Sequence, residues 1–165
     1  MVAAQRTSLT VLAMLLAFPQ QLRAEPIHLS ALLGTWQGVG NISYSTGTIE
    51  RLHCNSFYSG GDAELRMTIR CMAGKDPIHF RVKIRSTNGR QIEGEWEERT
   101  YNLAGPVTGS IGSGALTLNI VGGGISGVLT VVGVGLPEHS VVIKMEGAGV
   151  GNTSIRFVRS IKLSS

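Results

Sequence analysis

The stretch "IHFRVKIRSTNGRQIEGEWEE", Ile78 to Glu98, decides how this chain folds. In its first half Ile78, Phe80, Val82 and Ile84 alternate with His79, Arg81, Lys83 and Arg85. In its second half Ile92, Gly94, Trp96 and Glu98 alternate with Gln91, Glu93, Glu95 and Glu97. Successive side chains of a strand point to opposite faces, so each half reads as a strand with one apolar and one charged face. Directly opposed residues of an antiparallel pair share a face. A two-residue Asn88-Gly89 turn would set Ile84 against Glu93 and mix the faces. The pattern calls instead for an odd loop, "TNG", with Gly89 in the left-handed conformation. That register pairs Ile84 with Ile92, Phe80 with Trp96, Lys83 with Glu93, Arg81 with Glu95 and His79 with Glu97. The glutamate row then faces a basic row and forms a solvated ladder, not a metal or acid–base site. Exposed pairs of this kind contribute roughly 0–1 kcal/mol each. Glu98 is the exception: it falls on the apolar face, at its expected rim.

Working outward, the same reading repeats. "TWQGVGNISYS", "IERLHCNSFYS", "AELRMTIRCMA", "ALTLNIV", "SVVIKMEG" and "SIRFVRSIKL" are short strand-like runs bounded by Gly, Asn or Pro. Nine or ten such runs with turn signals between them predict an all-β chain. The expected fold is a single antiparallel β-barrel, or barrel-like sandwich, of about 8–10 short strands over residues 25–165. No apolar 3.6-residue period persists for three turns, so only "LSALLG" (29–34) offers a turn of helix. The 22 glycines crowd toward the C-terminal half. No Lys-Ser/Thr follows them and no helix opens after them, so phosphate-loop and dinucleotide readings fail. Glycines within strands mark bulges, barrel corners or close approach of a large neighbour.

Residues 1–24 read as a secretory signal peptide. Arg6 supplies the basic start, "LTVLAMLLAF" (9–18) the apolar run, Pro19 a break, and Ala24 the cleavage position. Ten apolar residues are too few to span a bilayer as a helix, which takes about 20. No later segment is a candidate transmembrane helix, so a periplasmic or secreted protein is expected. Of the fifteen Lys and Arg, Arg6 and Arg23 lie in the leader; thirteen basic residues then face eleven acidic ones. So small an excess, with no basic stripe interleaved with aromatics, excludes a nucleic-acid partner.

Cys54 and Cys71 are the only cysteines. In an oxidising compartment such a pair is expected as a disulfide, worth roughly 3 kcal/mol in the chain-entropy model. A tight Gly60-Gly61 turn would set Cys54 against Met67, leaving Cys71 roughly 13 Å farther along. A disulfide usually spans about 4.4–6.8 Å between Cα atoms, so the turn is expected to give way to a long loop near Ser59–Arg66, a bulge or a cross-barrel link. The four histidines are scattered without metal-ligand spacing, no nucleophile elbow occurs, and no cofactor motif is present. No catalytic residue, metal ligand or cofactor is expected.

Two resemblances attach to these residues. "GTWQGVGNISYSTGTIERLHCNSFYS", "LRMTIRC" and "IEGEWEERT" resemble a group of small exported alphaproteobacterial proteins sharing W-x-G-x-G, E-R-x-x-C and G-x-W-x-E, for which no activity is known. The G-T-W at Gly34–Trp36 is similar to the first lipocalin motif. It implies an eight-stranded barrel closed at one end by Trp36, with a late arginine, Arg156 or Arg159, over the ring. The lipocalin T-D-Y loop and C-terminal helix have no counterpart here.

Two functions of different class remain. In one, the barrel binds a small apolar or amphipathic ligand near Trp36, Tyr44, Phe80 and Trp96. In the other, a solid-cored envelope protein contacts a protein partner, as an inhibitor or assembly module. A cavity of roughly 300 Å³ or more separates the two.

Overall fold

The structure, a computed structural model, describes residues 28–147 and 149–160. The signal peptide expected over 1–24 lies outside them. A 3₁₀ turn, η1 (Leu29–Leu32), leads into ten strands: β1 (Gly34–Tyr44), β2 (Ile49–Gly60), β3 (Glu64–Ala73), β4 (Asp76–Ser86), β5 (Gln91–Glu98), β6 (Leu103–Gly112), β7 (Ala115–Gly122), β8 (Ile125–Val132), β9 (Glu138–Glu146) and β10 (Val150–Arg159). Each strand pairs antiparallel with the next, and β10 closes on β1. The chain is therefore a closed ten-stranded up-and-down barrel, two strands more than the lipocalin resemblance implied. No helix among the described residues is long and apolar enough to cross a membrane.

Alternation of buried and exposed residues runs along every strand, as a barrel with one interior face requires. One end of the interior is packed with large side chains, including Trp36, Tyr58, Phe157, Leu65 and Leu116, all nearly or wholly inaccessible. Small residues on β1 make room for them. A Cβ at Gly38 would stand 2.6 Å from the Phe157 ring, so the W-x-G of this strand admits that ring to the barrel axis.

The β4–β5 hairpin keeps the expected faces but not the expected partners. Val82 faces Trp96, Ile84 faces Gly94, and Phe80 faces Glu98. The odd loop is "NGR", not "TNG". Asn88 Oδ1 accepts from the backbone N–H of Arg90 (3.1 Å) and of Gln91 (2.8 Å), while Ser86 Oγ accepts from Gly89 N–H. This Asx turn moves the centre one residue along and the pairing by two. Gly89 has φ +78°, as the turn requires. The charged ladder shifts with it: Arg81 meets Glu97 (3.2 Å) and Arg85 meets Glu93 (2.8 Å), while His79 loses its expected glutamate.

The cysteines teach the same lesson. Cys54 and Cys71 are directly opposed and form a disulfide, with Cα atoms 4.1 Å apart. Neither a long loop nor a bulge is involved, since Ser59 pairs with Arg66 and Gly60 with Leu65. The tight turn survives but is centred on Asp62-Ala63 instead of Gly60-Gly61, with Gly61 N–H donating to Glu64 O. Two residues of displacement remove the roughly 13 Å conflict.

An apolar cavity at the open end of the barrel

The two ends of the barrel differ. At one end, η1 folds across the opening and buries Leu29 and Leu32. Trp36 is wholly inaccessible, and its Nε1–H donates to Leu32 O at 2.9 Å. Arg159 lies over the Trp36 ring at 4.2 Å and donates to the carbonyls of Leu33 (2.8 Å) and Ala31 (3.3 Å). Arg159 is thus the late arginine that the lipocalin resemblance implied. Arg156 instead pairs with Glu138 on the outer wall. Behind Trp36, the His139 ring meets it edge-on at 4.4 Å, stacks on Phe157 at 5.3 Å, and shares a 3.2 Å hydrogen bond with Tyr58 Oη through Nε2. His139 Nδ1 has no partner. Burial, and then the Arg159 guanidinium, lower the His139 pKa to about 4. Burial also pushes the Tyr58 phenol far above its ordinary range. Asp62 Oδ1 accepts from Ser30 N–H (3.2 Å), fastening the plug to the β2–β3 turn.

At the other end the loops β1–β2, β3–β4, β5–β6, β7–β8 and β9–β10 surround an opening. Below it lies a cavity of about 360 Å³. Its walls are mostly apolar: Ile42, Leu52, Ile69, Phe80, Trp96, Ile125, Ile143, Met145 and Ile155 among them, with the Cys71 half of the disulfide. Three of the four residues singled out in the sequence, Tyr44, Phe80 and Trp96, border this space. Trp36 does not; it belongs to the plug at the far end. Phe80 and Trp96 are diagonal, not opposed, and their rings stack with centroids 5.8 Å apart. Trp96 Nε1–H donates to Val121 O at 3.1 Å, holding the indole against the wall and leaving the space beside it empty.

Polar groups concentrate at the rim. Glu98, expected there from its odd position, is only 8% exposed. Its Oε1 accepts from His79 N–H (3.0 Å) and Thr100 N–H (3.1 Å), and its Oε2 from Tyr101 N–H (2.7 Å). A buried carboxylate is tolerated because three donors satisfy it, and it ties the β5–β6 loop to β4. Thr100 Oγ1 adds a bond to Pro77 O at 2.9 Å. Tyr44 is held protonated: burial first, then Glu50, Tyr101 and Asp76, raise its pKa. The sequence reading missed Asp76, Tyr101, Leu103, Met145 and Val150. The available signal was topological, because alternate loops of an up-and-down meander share one end.

No family model matches this chain, and no curated protein matches it. Among solved structures it is similar to Rv2717c from M. tuberculosis, at 16% identity and a TM-score of 0.62, covering 81% of this chain and 95% of that one. It is also similar to the S-type phycobiliprotein lyase CPES from Guillardia theta, at 11% identity and a TM-score of 0.58, covering 80% and 90%. At such identities the likeness is one of fold alone.

Proposed function

We propose that this chain is an exported, non-enzymatic binding protein that holds a small apolar or amphipathic ligand inside its barrel. One observation carries the reading: the interior is filled at one end and hollow at the other, leaving an apolar cavity of about 360 Å³ that opens between loops. Ligand pockets run from about 300 Å³ upward, are mainly apolar, and often sit in the mouths of β-barrels. A hollow of this kind leaves dispersion contacts unmade along its walls, a cost that a solid-cored interaction module would not carry. Export rests on the leader-like residues 1–24 and agrees with the Cys54–Cys71 disulfide, a bond characteristic of oxidising compartments.

Native mass spectrometry of protein purified from a bacterial periplasm tests the proposal. A stoichiometric adduct of small-molecule mass, lost on denaturation, is the expected result. An adduct-free spectrum, together with no binding of apolar probes to the purified protein, would refute it.

A further inference from the structure

The charge around the cavity selects the kind of ligand, an inference that rests on the binding reading above. Among the described residues, Asp76 and Glu98 are the only charged ones on the cavity wall, and no Lys, Arg or His lines it. Glu98 already accepts three backbone N–H bonds, so its charge is compensated by the protein. Asp76, at the start of β4, is not held in this way. Glu50 adds to it: alternation with Leu52 and Cys54 places Glu50 at an inward position of β2, and its Oε2 is buried without a hydrogen-bond partner. Arg51, Lys75 and Arg99, the basic residues next in sequence to these carboxylates, do not line the cavity. Lys75 is exposed in the β3–β4 turn, and Arg99 reaches toward Glu97 at 4.0 Å on the outer wall. Two phenols complete the rim. Tyr44 borders the cavity, and Tyr101 stands 67% exposed at its edge.

We infer that the cavity takes a cationic amphiphile: an apolar tail inside the barrel and an ammonium-type head between Asp76, Glu50, Tyr44 and Tyr101. Carboxylates supply the opposite charge, and tyrosine faces attract a cation through the ring quadrupole. A fatty acid would instead bring its carboxylate to a rim that already holds the carboxylates of Asp76 and Glu50, with no arginine or lysine among the described residues of the wall to receive it. The volume sets the tail. At about 30 Å³ per small group, 360 Å³ holds roughly a dozen non-hydrogen atoms, the size of a decyl chain with its head.

The test compares three probes with one tail, n-decylammonium, 1-decanol and decanoate, by isothermal titration at pH 7 and low salt. The expected order is decylammonium tightest, about threefold to tenfold over decanol, with decanoate weakest. In Asp76→Asn with Glu50→Gln, the decylammonium advantage over decanol should fall to within about twofold. Decanoate binding as tightly as decylammonium would overturn the cation assignment and leave the binding reading standing, as would an unchanged advantage in the double variant. Binding of none of the three would overturn both.

Discussion

The two ends of this barrel are built from the same alternating strands, yet one is a plug and the other a mouth. At the plug, Trp36, Tyr58, His139, Phe157 and Arg159 come from strands that are close in the barrel and far apart in the chain, and η1 lies over them. At the mouth Phe80 and Trp96 stack together on neighbouring strands and the rest of the wall is mainly medium-sized aliphatics, so the wall is lined but the centre stays empty. The difference lies in side-chain volume per layer and not in backbone: a ring of ten strands is wide, and only several aromatics in one layer fill it. Stability should therefore reside at the plug and binding at the mouth.

Trp36→Ala should have the largest effect, lowering unfolding free energy in urea by about 3–5 kcal/mol through cavity formation and loss of the Arg159 and Leu32 contacts. Tyr44→Ala at the mouth should cost about 1 kcal/mol or less, since that ring is only half-buried. Equal costs would erase the comparison.

Acid should attack the plug. Folding lowers the His139 pKa from 6.5 to about 4, so the unfolded chain binds the proton more readily. The stability due to the neutral buried ring is complete above pH 6.5 and is lost as pH falls toward 4, by about 3 kcal/mol in all. His139→Gln should flatten that window in denaturation curves taken at successive pH values. An unchanged slope would mean that another group titrates there.

Replacing both Cys54 and Cys71 by Ser should cost about 3 kcal/mol, read as a drop in urea midpoint under oxidising conditions. Ile143→Phe should do the reverse of a core mutation. By projecting into empty space it should shift stability by about 1 kcal/mol or less and abolish uptake of apolar probes. Retained uptake would place the ligand elsewhere. At the small end, Arg85→Ala should change stability by about 1 kcal/mol or less, because its pair with Glu93 is solvent-exposed.

Much of the barrel was legible because a strand has a period of two. Alternation assigned the inward faces of the β4–β5 hairpin and marked Glu98 as out of place. What alternation cannot see is an even shift of pairing, two positions in the β4–β5 hairpin and four in the β2–β3 hairpin, which leaves every face unchanged. Both hairpins used that freedom. Asn88 and Ser86 drew one turn to "NGR", and the other settled on Asp62-Ala63, where Asp62 meets Ser30 of η1. For the same reason the sequence reading sets Trp36 beside the ligand, although the lipocalin resemblance implied the closing role that it has. Facing is a local property, whereas height along the barrel axis depends on strand tilt and on the register of every pair between.

By itself the sequence determined an all-β chain of barrel or sandwich type, its inward faces, the cysteine pairing and the absence of recognisable catalytic motifs, because each follows from residue type and short-range spacing. Only the tertiary structure decided which turns set the register, which end closes, and where the interior stays hollow. Those depend on how volumes from ten strands add across the barrel, and no single stretch of chain records that sum.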